Sequence, residues 1–369
     1  MVVIELDAII REIPYRFDSR FSHGKSCLMG TRVASLDFII NWVNNPVSER
    51  GLVLFGQTGT GKSSIAHEIA RLFDKMRRLT SSFIFLRREQ CDAYHLFTTL
   101  ARDLADRYPS FKIALGKIVK DSAALVGARD YDTLFKSLIL EPLKDLHIVG
   151  PILVVIDALD ESGDTTSRTG LHVFLAENLK RLPSNFRVII TSRPEHAITS
   201  TFARAPSVKI RYMNDTELGA ETHKDILTFL QEKLPSEKFG DYVEALTVKE
   251  GGLFQWAAVA GEFVLDPPER FGYNGETCIK HLLKPSTNRR GQDMLDKLYK
   301  EVLEGYFKDR EAWDLFRTVV GLLIASASFD RTIRMSRVTI RETETTNDVG
   351  FTDDFMINDE GWICGSNGD

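Results

Sequence analysis

The chain is poor in cysteine: it has four, Cys27, Cys91, Cys278 and Cys364, widely spaced and with no C-x-x-C pair. That argues against a disulfide framework or a zinc site and fits reduced thiols in an intracellular protein. It has no long basic run and its net charge is −5, so nucleic acid is not an expected partner. No late apolar run is long enough for a bilayer, since the longest, Val319 to Ala327, falls far short, and no membrane span is expected. The first residues, Met1 to Asp7, lack the basic-then-apolar order of a signal peptide, so the expected location is cytoplasmic. The eight histidines are scattered without H-x₃-H or H-E-x-x-H, and Ser63 and Ser64 lie in no G-x-S-x-G elbow, which leaves a hydrolase triad unsupported.

What the chain does have is the run Gly56-Gln57-Thr58-Gly59-Thr60-Gly61-Lys62-Ser63, which reads G-x-x-x-x-G-K-[ST]. Glycines let the backbone turn tightly and bring its N–H groups to phosphate oxygens. Lys62 supplies a point charge for the β- and γ-phosphates, and Ser63 a hydroxyl for Mg²⁺. The context is the required one. Leu52 to Phe55 is a short apolar strand, and Ile65, Ile69, Leu72, Phe73 and Met76 recur at helical spacing. A helix N-terminus there adds a field favourable to anions. The whole loop, Gly56 through Ser64, is therefore a candidate nucleotide-binding segment.

With 369 residues and 43% apolar content, the chain has room for two or three domains with a sizeable core. Residues 1–26 carry no nameable chemistry. Gly30-Thr31-Arg32 then precedes an amphipathic helix and, taken alone, reads as a turn capping it. Beyond the P-loop helix, Ser82 to Leu86 reads as a strand and 93–107 as a helix ended by Tyr108-Pro109, with more helical sequence to Leu146. Pro151 to Ile156 is an apolar strand that ends in Asp157 and delivers Asp160 and Glu161 just beyond. At a strand's carboxyl end Asp157 suits Mg²⁺, while Asp160 and Glu161 suit a base or water-positioning role; the plainer alternative is an acidic turn. A helix over 171–182 leads to the strand Phe186 to Ile190 and then Thr191-Ser192-Arg193-Pro194, where Arg193 either reaches a γ-phosphate or is a surface arginine at a turn. Residues 207–212 read as a fifth strand. Strands separated by helices mean an α/β parallel sheet flanked by helices. From Asp215 strands give way to helices over 222–234, 237–249, 252–265 and 292–325. Trp42, Trp256 and Trp313 read as core. Four segments result: a lead-in with the Gly30–Arg32 turn (1–49), a P-loop NTPase domain (50–214), a helical domain (215–325) and a polar, weakly strand-like tail (326–369).

These motifs in this order resemble a NACHT-type NTPase of the STAND class, close to fungal NLR-like proteins and to the nephrocystin-3-like N-terminal NTPase region. The resemblance is carried by Cys27 with Gly30-Thr31-Arg32, Gly56 to Ser63, Asp157-Ala158-Leu159-Asp160-Glu161, Thr191-Ser192-Arg193-Pro194, and Gly251-Gly252-Leu253-Phe254 with Trp256-Ala257. It implies that the Arg193 strand lies between the P-loop strand and the Asp157 strand, that Arg193 senses the γ-phosphate, and that Gly30, Thr31 and Arg32 line the nucleotide base. It further implies ATP/ADP rather than GTP as ligand, Mg²⁺, weak ATP hydrolysis with Lys62, Asp160, Glu161 and Arg193 in the chemistry, and a homo-oligomer in the ATP state. Ser326 to Arg334 resembles one strand pair of a WD repeat, with Met335-Ser336-Arg337 where V-W-D is expected, and residues 350–365 resemble the segment that closes such arrays. The tail is accordingly expected to be a WD-repeat remnant, and the chain to lack an effector domain ahead of residue 20. A binding-only remnant and a turnover NTPase are the rival readings; the second needs an acceptor site or translocating pore loops, for which the sequence carries no motif.

Overall fold

The computed structural model describes residues 2–85, 93–144, 146–162, 165–213, 216–249, 253–268, 272, 274–284, 297–303, 355–357 and 363–365. Five strands form one parallel sheet: β1 (Gly51–Phe55), β2 (Leu79–Ile84), β3 (Ile152–Asp157), β4 (Phe186–Ser192) and β5 (Val208–Tyr212), in the order β2-β3-β4-β1-β5. The β4 strand, which leads into Arg193, thus lies between β1 and β3, with Val53 opposite Ile190 and Ile156 opposite Ile190. The strands read as unbroken apolar runs because both faces are covered. Alternate residues serve opposite faces. Val53, Phe55, Val154, Ile156, Val188 and Ile190 enter one core cluster, whereas Leu52, Leu54, Leu153, Val155 and Ile189 enter another.

The second of these clusters is closed by α2 (Val33–Asn44), through Ile39, Trp42 and Val43, and by α3 (Lys62–Lys75), through Ile65, Ile69 and Phe73. Each such fully buried side chain contributes about 1.5–3 kcal/mol. The opposite face is covered by α1 (Val2–Arg11), α4 (Tyr94–Arg107), α5 (Pro109–Asp121), a helical stretch from Tyr131 to Leu143, α8 (Thr165–Asn178) and α9 (His196–Phe202). The Tyr131–Leu143 stretch is α-helical at its ends, α6 (Tyr131–Leu134) and α7 (Glu141–Leu143), around a π-helical section, Phe135–Leu140.

Three boundaries differ from the sequence expectation. The lead-in, for which the sequence pattern offers no element before residue 27, contains α1, which packs on α5, and Ile10 and Ile13 enter the core. β2 runs over Leu79–Ile84 rather than 82–86, because Thr80, Ser81 and Ser82 are buried. Their hydroxyls find partners, Ser81 donating to Asp103 at 2.5 Å and Ser82 accepting from the Phe21 N–H at 3.1 Å, so polar residues occupy strand interior without an unpaired group. The helix expected at 171 starts at Thr165, in a polar first turn that carries no apolar period.

Past the sheet come α10 (Thr216–Lys233), α11 (Ser236–Lys249), α12 (Phe254–Leu265) and α13 (Gly275–Leu282), and residues 297–303 are helical. They bury a core of their own around Ile226, Leu230, Trp256, Phe263 and Ile279. The remainder of the expected 292–325 helix, and the strand-like Ser326 to Arg337, fall outside the described residues. Met1–Arg87 with Cys91–Tyr306 forms one compact unit, and Arg88–Gln90 with Phe307–Asp369 a second. In the second, β6 (Phe355–Ile357) pairs antiparallel with β7 (Ile363–Gly365). Among the described residues no helix is long and apolar enough to cross a membrane.

Candidate functional site

β1 ends at Phe55 and α3 starts at Lys62, so the glycine loop bridges a strand end and a helix N-terminus. Gly59 and Gly61 take φ of +79° and +88°, a region other residues avoid. A Cβ on Gly59 would also meet Gln255 at 2.7 Å. Thr60 closes the loop on itself, its hydroxyl donating to the Gln57 carbonyl at 2.8 Å. Gln57 is exposed and Thr58 half-buried. The Lys62 ammonium donates to the carbonyls of Gly56 at 2.7 Å and Gln57 at 2.9 Å. Burial lowers its pKa, opposed by Asp160 and Asp157.

Ser63 donates to Asp157 Oδ1 at 3.1 Å, joining the P-loop helix to the end of β3. Thr191, at the end of β4 between them, donates to the same oxygen and accepts the Ala158 N–H at 3.0 Å. Ala158 sits at φ +59°, a left-handed turn costing about 1–2 kcal/mol for an L-residue. That turn returns the short 3₁₀ helix Leu159–Glu161 to the strand ends. There Asp160 accepts the Arg193 backbone N–H at 3.0 Å, and its other oxygen lies 3.0 Å from Arg193 Nε. Glu161 accepts from the same guanidinium at 3.2 Å. Lys62, Ser63, Asp157, Asp160, Glu161 and Arg193 are therefore gathered at the carboxyl ends of three adjacent strands, where ligands bind in open α/β sheets.

The family described as Nephrocystin 3, N-terminal, matches residues 29–193, a segment that contains every one of these residues. The chain has a P-loop NTPase fold. Among solved structures it is similar to domain III of the replication initiation protein DnaA from Thermotoga maritima (13% identity, TM-score 0.37, covering 74% of this chain and 100% of that one). It is also similar to the Aeropyrum pernix ORC1 protein in complex with DNA (12% identity, TM-score 0.38, 75% of this chain and 67% of that one). A third is Drosophila ORC bound to DNA (12% identity, TM-score 0.37, 76% and 69%). No curated protein sequence matches significantly.

Beside this P-loop NTPase core lies the Gly30–Arg32 turn. Thr31 donates to the Leu28 carbonyl at 2.8 Å, and Arg32, at φ +58°, starts α2. Arg32 is 2% exposed. Its guanidinium donates to the Thr60 carbonyl of the P-loop at 2.6 Å and to Thr222 of α10 at 2.7 Å, and it lies over the Phe254 ring at 4.6 Å. Its backbone N–H goes to Asp225 at 2.9 Å. Burial lowers the Arg32 pKa and raises that of Asp225. The resemblance implies that Gly30, Thr31 and Arg32 line a nucleotide base; in the structure all three line a cavity, and the Arg32 guanidinium also ties the P-loop to α10.

That cavity, about 790 Å³, is bounded by Ser26–Val33, by α2 through Leu36, Asp37 and Ile40, by Gly61, and by the Ser64, Glu68, Arg71 and Leu72 face of α3. A smaller one, about 370 Å³, lies over Gly59 and Gly61–Ser64 beneath Gln255 and Ala258. Phe229 and Phe254 of the helical region line both. Phe254 and Thr191 stand in motifs legible in the sequence. Thr222, Asp225, Glu68 and Arg71 do not: helical charged residues carry no signal of which face they occupy until the helices dock. The thiol of Cys27, at the rim of the larger cavity, is pushed up to about 12, first by burial and then by Glu68, so it stays protonated.

Proposed function

We propose that the chain binds ATP or ADP with Mg²⁺ and hydrolyses ATP slowly as a conformational switch of the NACHT-type STAND kind. The supporting observation is the Ser63–Asp157 hydrogen bond at 3.1 Å, which brings a hydroxyl and a carboxylate from the P-loop helix and β3 to one point beside Lys62. This donor set suits Mg²⁺, which takes few protein oxygens and completes its shell with phosphate and water.

Mg²⁺, when bound, neutralises charge on the phosphates. The chain's own residues do the rest. Two of the three Lys62 ammonium hydrogens hold the loop carbonyls, leaving the third for a phosphate oxygen, and the anion offsets the desolvation of a half-sequestered cation. The loop amides from Gly56 to Ser64 cradle the phosphates. Asp160 and Glu161 orient water, and Arg193, held between them, is released toward the γ-phosphate when one is present. The helical region that follows the sheet acts as the part that closes over the nucleotide, and ATP favours a homo-oligomer by differential affinity for two states.

The same Arg193 contacts favour one second reading, a binding-only protein whose hydrolytic carboxylates are occupied by their own arginine. Titration with a fluorescent ATP analogue tests binding: tight binding in the parent and its loss in Lys62→Ala is expected, and equal affinity in both would overturn the proposal. Steady-state turnover then separates a slow switch from a protein that binds without hydrolysis.

A further inference from the structure

The larger cavity begins at the phosphate loop, sharing Gly61 and Ser64 with it, and extends along α3. Its walls mix apolar side chains, among them Leu36 and Ile40 of α2, Leu72 of α3, Phe229 and Phe254, with a few charged ones. Arg32, which would be the obvious polar group for a ligand here, has its guanidinium hydrogen-bonded to Thr60 and Thr222. The charged pair on the α3 side is instead Glu68 and Arg71. Glu68 is 8% exposed and accepts from Arg71 Nε at 2.8 Å and from the adjacent guanidinium nitrogen. A carboxylate oxygen has lone pairs beyond those used by one bidentate arginine. An ionised carboxylate accepts hydrogen bonds and donates none, and the apolar side chains beside it can cover the face of a flat ring, so the site suits a ring that presents an NH₂ group at its edge.

We propose that Glu68, oriented by Arg71, is the specificity-determining residue of this pocket and recognises an aminopurine base through its exocyclic amine. The inference rests on the nucleotide reading above and adds to it the residue that reads the base. Adenine and guanine share the required chemistry: each carries an exocyclic NH₂ and a flat face for the slot. Hypoxanthine has the same ring and keeps an N1–H but has no exocyclic amine, so its diphosphate tests the amine itself. Arg71 is a positioning residue: it fixes the carboxylate and keeps its charge.

Binding of ADP, GDP and inosine diphosphate to the full chain, in Mg²⁺ buffer by calorimetry, tests this. The parent is expected to bind ADP or GDP about tenfold more tightly than inosine diphosphate, the value of one hydrogen bond to a charged acceptor. Whichever diphosphate binds more tightly identifies the source of the amine. In Glu68→Leu the ratio is expected to collapse to within about twofold, with inosine diphosphate affinity unchanged. Glu68→Gln, which keeps the size and one acceptor, is expected to fall between and serves if the leucine variant does not fold. Equal binding of all three by the parent, or discrimination preserved in both variants, overturns the role of Glu68 while leaving nucleotide binding intact. Failure of every diphosphate to bind overturns both proposals.

Discussion

Arg193 carries the most chemistry per residue in the site, because one side chain meets two carboxylates and its own backbone N–H meets one of them. Asp160 is nearly fully buried, and charge-assisted hydrogen bonds are strongest away from water. Its substitution should act through Arg193 as well as on water. Asp160→Asn and Glu161→Gln are each expected to retain ATP binding and to slow hydrolysis at least about tenfold, roughly 1.4 kcal/mol of barrier. Single-turnover measurement checks this, and parental rates in both variants would reduce the pair to an acidic turn. His67 offers a residue-scale test on the other side of α3. Its Nδ1 accepts the Ser22 N–H at 2.9 Å, and burial lowers its pKa, against Asp157, which raises it, and with Lys25. A depressed histidine pKa means that the folded state prefers the neutral ring. Its contribution is complete above the unfolded value of about 6.5 and is lost as pH falls through the folded value. Thermal melts at decreasing pH should therefore show a loss of stability that is smaller in His67→Gln.

At the scale of elements, the decisive arrangement is that one arginine at the start of α2 bonds to the P-loop, to α10 and, through its ring contact, to α12. Arg32 Nε also lies 3.9 Å from the buried Asp225 carboxylate, and removing one partner of such a pair leaves the other uncompensated. Arg32→Met is expected to destabilise the protein by about 3 kcal/mol, with Asp225 left buried, and to expose α10 to proteolysis first. Adding Asp225→Asn should recover part of the loss, since the paired substitution removes the orphan charge. A melting temperature unchanged in Arg32→Met would show that the three contacts carry no energy.

For the whole molecule, every residue lining the two cavities lies at or before Ala258. A chain lacking residues 326–369 is therefore expected to keep nucleotide affinity within about twofold and to melt close to the parent temperature. Two three-residue strands pair in that tail, and a two-stranded ribbon of this length adds little stability of its own. A large drop in either quantity would make the tail an integral part of the fold.

The sequence by itself determined the phosphate loop, the apolar strands that flank it, the carboxylates after β3 and the arginine after β4. It could do so because each of these depends on local order: a glycine spacing, an apolar run, a charged residue at a strand's end. The strand order came from family resemblance, and the structure bears it out by pairing β4 with both β1 and β3. Local order was silent on α1, a short helix whose buried Leu6 and Ile10 make a single apolar step, and on the polar stretch Thr80–Ser82 of β2, whose burial depends on partners far along the chain. Only the tertiary structure decided where Arg32 spends its charge and that Glu68 and Arg71 face a cavity. Those outcomes depend on which helix faces meet across 190 residues of sequence separation, from Arg32 to Thr222. No spacing within a single helix encodes such a contact.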